Sequence, residues 1–115
     1  MNYAIQINGG PGFPAARSGF QFIKAALAEG HAILRVFFYH EAVHQGFITG
    51  GADPEGLVPD WAGLAEAHAL DLVLCVSAAE RRGRKADGLA PGFRLGGLGQ
   101  WMEASLQADR VLVFG

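Results

Sequence analysis

The chain has 115 residues, half of them hydrophobic, with nine Lys and Arg against eleven Asp and Glu for a formal charge of −2. That length fits one domain, expected over residues 1–115 and able to bury a core without disulfides or a structural metal, and the apolar content excludes general disorder. The near-neutral charge argues against direct nucleic-acid binding; no apolar run is long enough to span a membrane, no signal peptide is recognisable at the N-terminus, and a single cysteine, Cys75, fits a reducing cytoplasm.

Tyr3 to Ile7 reads as a short strand and Asn8-Gly9-Gly10-Pro11-Gly12 as the loop after it. A glycine-rich loop between strand and helix is where phosphate is often cradled. Here the spacing matches neither G-x-x-x-x-G-K-[ST] nor G-x-G-x-x-G, and Pro11 and Pro14 remove backbone donors, so turn chemistry is the better account. From Ala15 to Glu29 the spacing of Phe20, Ile23 and Leu27 predicts a helix stopped by Gly30. Ala32 to Tyr39 is a second strand. His40-Glu41-Ala42-Val43-His44 matches H-E-x-x-H, which on a helix can hold zinc with the glutamate as general base. Against this, the motif follows a strand directly, a short helix at Glu41 to Gln45 is all that is expected there, and a third ligand is not obvious among His31, His68 and Glu66. Two surface histidines at a strand end are the simpler reading.

Gly50 to Pro54 reads as loop, and Asp60 can cap a helix on which Trp61, Leu64, Ala65 and His68 share a face. Leu72 to Val76 is a third strand. Ser77 with Glu80 three residues on is a capping-box pattern, so Cys75 stands just ahead of a helix N-terminus. The helix dipole there, and Arg81, Arg82, Arg84 and Lys85 within about two turns, favour the thiolate. Burial beside Val73, Leu74 and Val76 pushes the other way, and inert packing is the common fate of a free cysteine. The basic residues serve either the thiolate or an acidic partner. A glycine- and charge-rich loop runs from Gly83 to Gly92, followed by a very short strand at Phe93 to Leu95. Gly96-Gly97-Leu98-Gly99 opens a helix whose amphipathic face holds Leu98, Trp101, Met102 and Leu106. Arg110 to Phe114 is the last strand. Strands alternating with helices predict an α/β fold: a three-layer α/β/α sandwich around a mostly parallel sheet of about five strands. Sites in such sheets lie at strand carboxyl ends, where Cys75 is. The aromatic residues Phe37, Phe38, Tyr39, Phe47, Trp61 and Trp101 suit either a filled core or subunit contacts.

Three stretches together carry a family likeness. They are Ser18-Gly19-Phe20-Gln21-Phe22 through Arg35-Val36-Phe37-Phe38-Tyr39-His40-Glu41; Leu74-Cys75-Val76-Ser77-Ala78-Ala79-Glu80-Arg81-Arg82-Gly83; and Phe93-Arg94-Leu95-Gly96-Gly97-Leu98-Gly99 with Glu103 to Val111. Over nearly its whole length the chain resembles the DsrE/TusD family of sulfur-relay subunits. The resemblance implies a DsrE-like fold and a sulfurtransferase that carries sulfur as a persulfide on Cys75, with Ser77, Arg81 and Arg82 supporting the thiolate or docking a partner. It implies no metal and no organic cofactor. Implied partners are two small paralogous subunits in a heterohexamer, and persulfide donor and acceptor proteins. The implied role is the relay for 2-thiouridine in tRNA, the alternative a DsrE-type subunit in dissimilatory sulfur oxidation. A non-catalytic structural subunit, and a small zinc hydrolase built on His40, Glu41 and His44, are the further alternatives. One departure stands out: the Arg84 to Gly92 connection is short for the family, which bears on how Cys75 is covered and reached.

Overall fold

The computed structural model describes residues 1–47, 53 and 56–115. The loop expected at Gly50 to Pro54 lies outside the described residues except for Asp53. In chain order the elements are β1 (Asn2–Ile7), α1 (Pro14–Ala28), β2 (Ala32–Phe38), a 3₁₀ helix (His40–Gly46), α2 (Leu57–His68), β3 (Leu72–Cys75), α3 (Val76–Arg81), a 3₁₀ turn (Ala86–Gly88), β4 (Phe93–Gly96), α4 (Leu98–Gln107) and β5 (Arg110–Phe114). The five strands form one sheet in the order β4-β3-β2-β1-β5, and every pairing is parallel. The expected α/β architecture is therefore present, with β3, which carries Cys75, inside the sheet.

Two adjacent residues of β2 show how the layers are held. Successive strand residues point to opposite faces. Phe38 meets Trp61 of α2 edge-on at 5.1 Å, and Trp61 also takes Phe20 of α1 at 4.9 Å. Phe37 points the other way and stacks on Trp101 of α4 at 5.8 Å. Thus α1 and α2 cover one face and α4 the opposite face. The ordering follows from topology: β1 to β4 advance in one direction, so right-handed crossovers stack their helices on one side, and the return from β4 to β5 puts α4 on the other. Trp61 is fully buried, and its truncation to alanine would cost about 3–5 kcal/mol. Gly30 closes α1 with φ +86°, a conformation that disfavours any side chain.

A charged strut ties the same layers together. Asp71, one residue ahead of β3, accepts from Arg35 Nε of β2 at 2.6 Å and from Arg94 Nε and Nη2 of β4 at 2.7 and 2.9 Å. Arg35 Nη1 in turn donates to the Gln100 carbonyl of α4 at 2.7 Å. The hydrogen bonds from Arg94, and then from Arg35, hold the Asp71 carboxyl below its ordinary range against the opposing effect of burial.

Two local expectations are corrected. First, α2 starts at Leu57, three residues before Asp60, and the cap is Asp53, whose carboxylate accepts from the Leu57 and Val58 N–H groups at 2.8 and 3.1 Å. His68 also lies exposed at the end of that helix. Second, β3 ends at Cys75 and Val76 already begins α3. The amphipathic face of α4 is mostly open: Leu98, Met102 and Leu106 are 49%, 59% and 83% exposed, and it is Ala104 and part of Trp101 that face the sheet.

Candidate functional site

Cys75 is the last residue of β3 and the residue that caps the start of α3. An apolar, fully buried strand, Leu72-Val73-Leu74-Cys75, runs straight into a helix with no intervening loop. The thiol is free, lies at a strand carboxyl end as expected for a site in a parallel sheet, and is only 2% exposed. Across the sheet Cys75 pairs with Gly96 of β4. Two clefts flank α3, one between Val76, Ala79, Arg84 and Leu95, the other between Tyr39, His40, Glu41, Arg81 and Arg82; Cys75 lines neither.

The other predicted residues fall at different places on α3. Ser77 is its second residue, exposed, and no side-chain hydrogen bond caps the helix, so the capping box is not formed. The reason is that the helix starts two residues too early for Ser77 to hold the cap position, which Cys75 takes instead. Arg81 is exposed at the opposite end. Arg82 closes the helix: its Nη1 donates to the Ala78 carbonyl at 3.0 Å and its Nε to Glu41 Oε1 at 2.8 Å. The structure thus brings Cys75 and Ser77 to the start of α3 and Arg81 and Arg82 to its end.

Glu41 and His44, the glutamate and the second histidine of H-E-x-x-H, belong to a network not foreseen from sequence. His44 Nδ1 accepts from Arg84 Nε at 3.0 Å, and its Nε2 faces Glu41 Oε2 at 3.2 Å. The Arg82 hydrogen bond lowers the Glu41 carboxyl, and burial followed by the Arg84 charge lowers the His44 imidazole. His40 is elsewhere, with φ +53° and its ring stacked on Tyr39 at 4.1 Å. The physical cause is the helix type. With about three residues per turn, a 3₁₀ helix aligns positions i and i+3, so His44 meets Glu41 and not His40. Among the described residues no three His, Cys, Asp or Glu side chains are grouped to hold a metal ion. The arrangement gives no support to the zinc-hydrolase alternative. The i, i+3 spacing of Glu41 and His44 was visible in the sequence; their partners some 40 residues away were not.

Among the described residues no helix is long and apolar enough to cross a membrane. The family model described as DsrE/DsrF-like matches residues 1–114. A candidate sulfurtransferase of Allochromatium vinosum named DsrE is 46% identical over 129 aligned positions, covering 100% of this chain and 99% of that protein. The alignment is longer than this chain, so that relative carries residues this chain lacks. A protein of Pseudomonas aeruginosa named sulfurtransferase TusD homolog is 40% identical, covering 100% and 98%, and the sulfurtransferase TusD of Salmonella arizonae is 43% identical, covering 99% and 100%. Of solved structures, the ychN protein of E. coli superposes with a TM-score of 0.84 at 24% identity over 99% of both chains, a likeness of fold.

Proposed function

The chain belongs to the DsrE/DsrF-like family, and from that membership we propose that it is a sulfurtransferase subunit in which Cys75 accepts a sulfane sulfur and passes it on. The observation that carries this reading is the position of the lone thiol, at the carboxyl end of β3 and the start of α3, in a chain matched end to end by proteins named for sulfur transfer. The Cys75 thiolate attacks the outer sulfur of a donor persulfide. The donor's sulfur–sulfur bond breaks, the donor leaves as a thiolate, and Cys75 holds the persulfide. An acceptor thiolate then attacks that outer sulfur, and Cys75 leaves as a thiolate. Sulfur keeps its oxidation level throughout, so the exchange itself uses no redox cofactor. Because the thiol is 2% exposed, uncovering it is a step of the transfer, and docking of donor or acceptor is the natural trigger. Ser77 and Arg81 are exposed near the two ends of α3 where such a partner would meet the chain.

We place this activity in the cytoplasmic relay that leads to 2-thiouridine in tRNA, with donor and acceptor proteins handling the RNA. Support comes from the relatives named TusD. The 46% identity to the protein named DsrE favours a second reading, service in sulfur oxidation. Deleting the gene separates them: loss of 2-thiouridine from hydrolysed tRNA supports the first, whereas unchanged tRNA with impaired growth on reduced sulfur compounds supports the second. We further propose that the chain works in a heterohexamer with two small paralogous subunits. The apolar side chains left open on one side of the sheet support this: Leu98, Met102 and Leu106 of α4, and Val111 and Val113 of β5 at 44% and 55% exposure.

A further inference from the structure

We infer that the Gln100 side chain receives the outer sulfur of a Cys75 persulfide and orients it for transfer, an inference that rests on the sulfurtransferase reading above. The place is defined by Gly96. A Cβ built on Gly96 would collide with the Gln100 carboxamide oxygen and would lie 2.7 Å from Val73 Cγ1. Gly96 pairs with Cys75, and Arg94 with Val73, across β3 and β4. Val73 and Cys75 are two residues apart in one strand and so project to the same face. The Cys75 side chain, the bare Cα of Gly96 and the Gln100 carboxamide therefore share one small region under the start of α4.

The Gln100 oxygen is buried and has no hydrogen-bond partner among the described residues. A buried acceptor without a donor is uncommon in a folded protein. The residue is nevertheless held firmly. Its N–H donates to the Gly97 carbonyl at 3.1 Å, and its own carbonyl is gripped by Arg35, which Asp71 anchors in turn. The carboxamide is thus presented from a fixed backbone with its acceptor unused.

A persulfide lengthens the cysteine side chain by one sulfur–sulfur bond of about 2 Å on this same face. In the neutral form the outer sulfur carries a hydrogen, and the Gln100 oxygen can accept it. That contact has a chemical consequence. An incoming thiolate is repelled by an anionic outer sulfur and attacks a neutral one. The S–H bond stands near a right angle to the sulfur–sulfur bond, so a hydrogen bond to Gln100 leaves the line of attack opposite Sγ open. Attack on the outer sulfur forms the acceptor persulfide and releases the Cys75 thiolate. Attack on the inner sulfur would instead form a mixed disulfide on Cys75 and expel hydrosulfide, losing the cargo. Burial shields the inner sulfur, and Gln100 holds the outer one in place.

The test loads the full chain with glutathione persulfide, removes excess donor, adds glutathione, and measures two products: glutathione persulfide, and free sulfide with the glutathione adduct on Cys75. Gln100→Met removes the acceptor at similar length, Gln100→Leu is the second such variant should the first not fold, and Gln100→Glu keeps an acceptor oxygen. Folding is checked by circular dichroism. The expected result is normal loading in all, a shift toward sulfide and adduct of about fivefold in Gln100→Met or Gln100→Leu, the size of one lost hydrogen bond, and a near wild-type partition in Gln100→Glu. A folded acceptor-less variant that partitions like wild type, or that fails to load, overturns the role given to Gln100. So does a Gln100→Glu variant that shifts like Gln100→Met. Failure of the wild type to load overturns the sulfurtransferase reading instead.

Discussion

His44 accepts a hydrogen bond from Arg84 through Nδ1, at 3.0 Å, and faces Glu41 with its other nitrogen at 3.2 Å. Both ring nitrogens are therefore occupied by the protein, and His40, the first histidine of the motif, instead stacks its ring on Tyr39. The pair instead links the 3₁₀ helix after β2 to the segment following α3. A sequence signature for zinc has become a brace beside the cysteine helix.

The first prediction concerns metal. Protein purified without chelator or histidine tag contains far less than one zinc per chain by elemental analysis, and His44→Ala leaves that content unchanged. Near-stoichiometric zinc that is lost in His44→Ala contradicts the arrangement described.

The second concerns pH. Burial, then Arg84, lowers the His44 imidazole below its ordinary value. A group whose folded pKa is depressed contributes stability above its unfolded value that is lost as pH falls through the folded one. The unfolding free energy of wild type relative to His44→Gln is therefore greatest above about pH 6.5 and declines on acidification. Urea titrations across that range check the sign. A wild-type advantage that grows toward acid pH contradicts it.

Asp71 obeys the same sign at lower pH, because Arg94 and Arg35 depress its carboxyl. Asp71→Asn removes the anion that two guanidinium groups share, leaving Arg35 with Glu103 at 3.6 Å, and loosens three strands and α4 at once. The expected loss is about 1–3 kcal/mol at neutral pH, toward the low end because the side chain is 29% exposed and partly screened. The difference from wild type shrinks as pH falls through the depressed folded value. A variant as stable as wild type at pH 7 would show the strut to be dispensable.

A fourth prediction addresses assembly. Met102→Lys with Leu106→Lys changes two side chains that the chain alone leaves open, so its stability shifts by no more than about 0.5 kcal/mol per site. Co-expressed with its two small paralogues, the double variant elutes as free chain while wild type forms the larger complex, judged by light scattering. A double variant that assembles normally removes α4 from the interface.

Much of the fold was legible in the sequence because each strand is a short apolar run and each long helix has a regular stripe. The α1 pattern of Phe20 and Ile23 is buried as its spacing predicts. The errors share a cause. Ser77 and Asp60 obey local capping statistics, yet the true helix starts are set by how β3 runs into α3 and by Asp53 reaching forward from the preceding segment. The stripe on α4 is legible as an apolar face, but periodicity identifies a face without saying what covers it, and Leu98, Met102 and Leu106 are exposed. At the site, Cys75 could be chosen from one strand and its flanks. Gln100 could not, since it lies beside Gly96 and only the pairing of β3 with β4 sets Gly96 next to Cys75.

The measurement that tests the central claim most directly is the intact mass of the chain after incubation with a persulfide donor. Cys75 is predicted to gain one sulfur, about 32 Da, slowly because the thiol is buried, and to lose it to a reductant. Cys75→Ser is predicted to gain nothing. A wild-type chain that stays unmodified with several donors, even after mild destabilisation exposes the thiol, would contradict the assignment of sulfur transfer to Cys75.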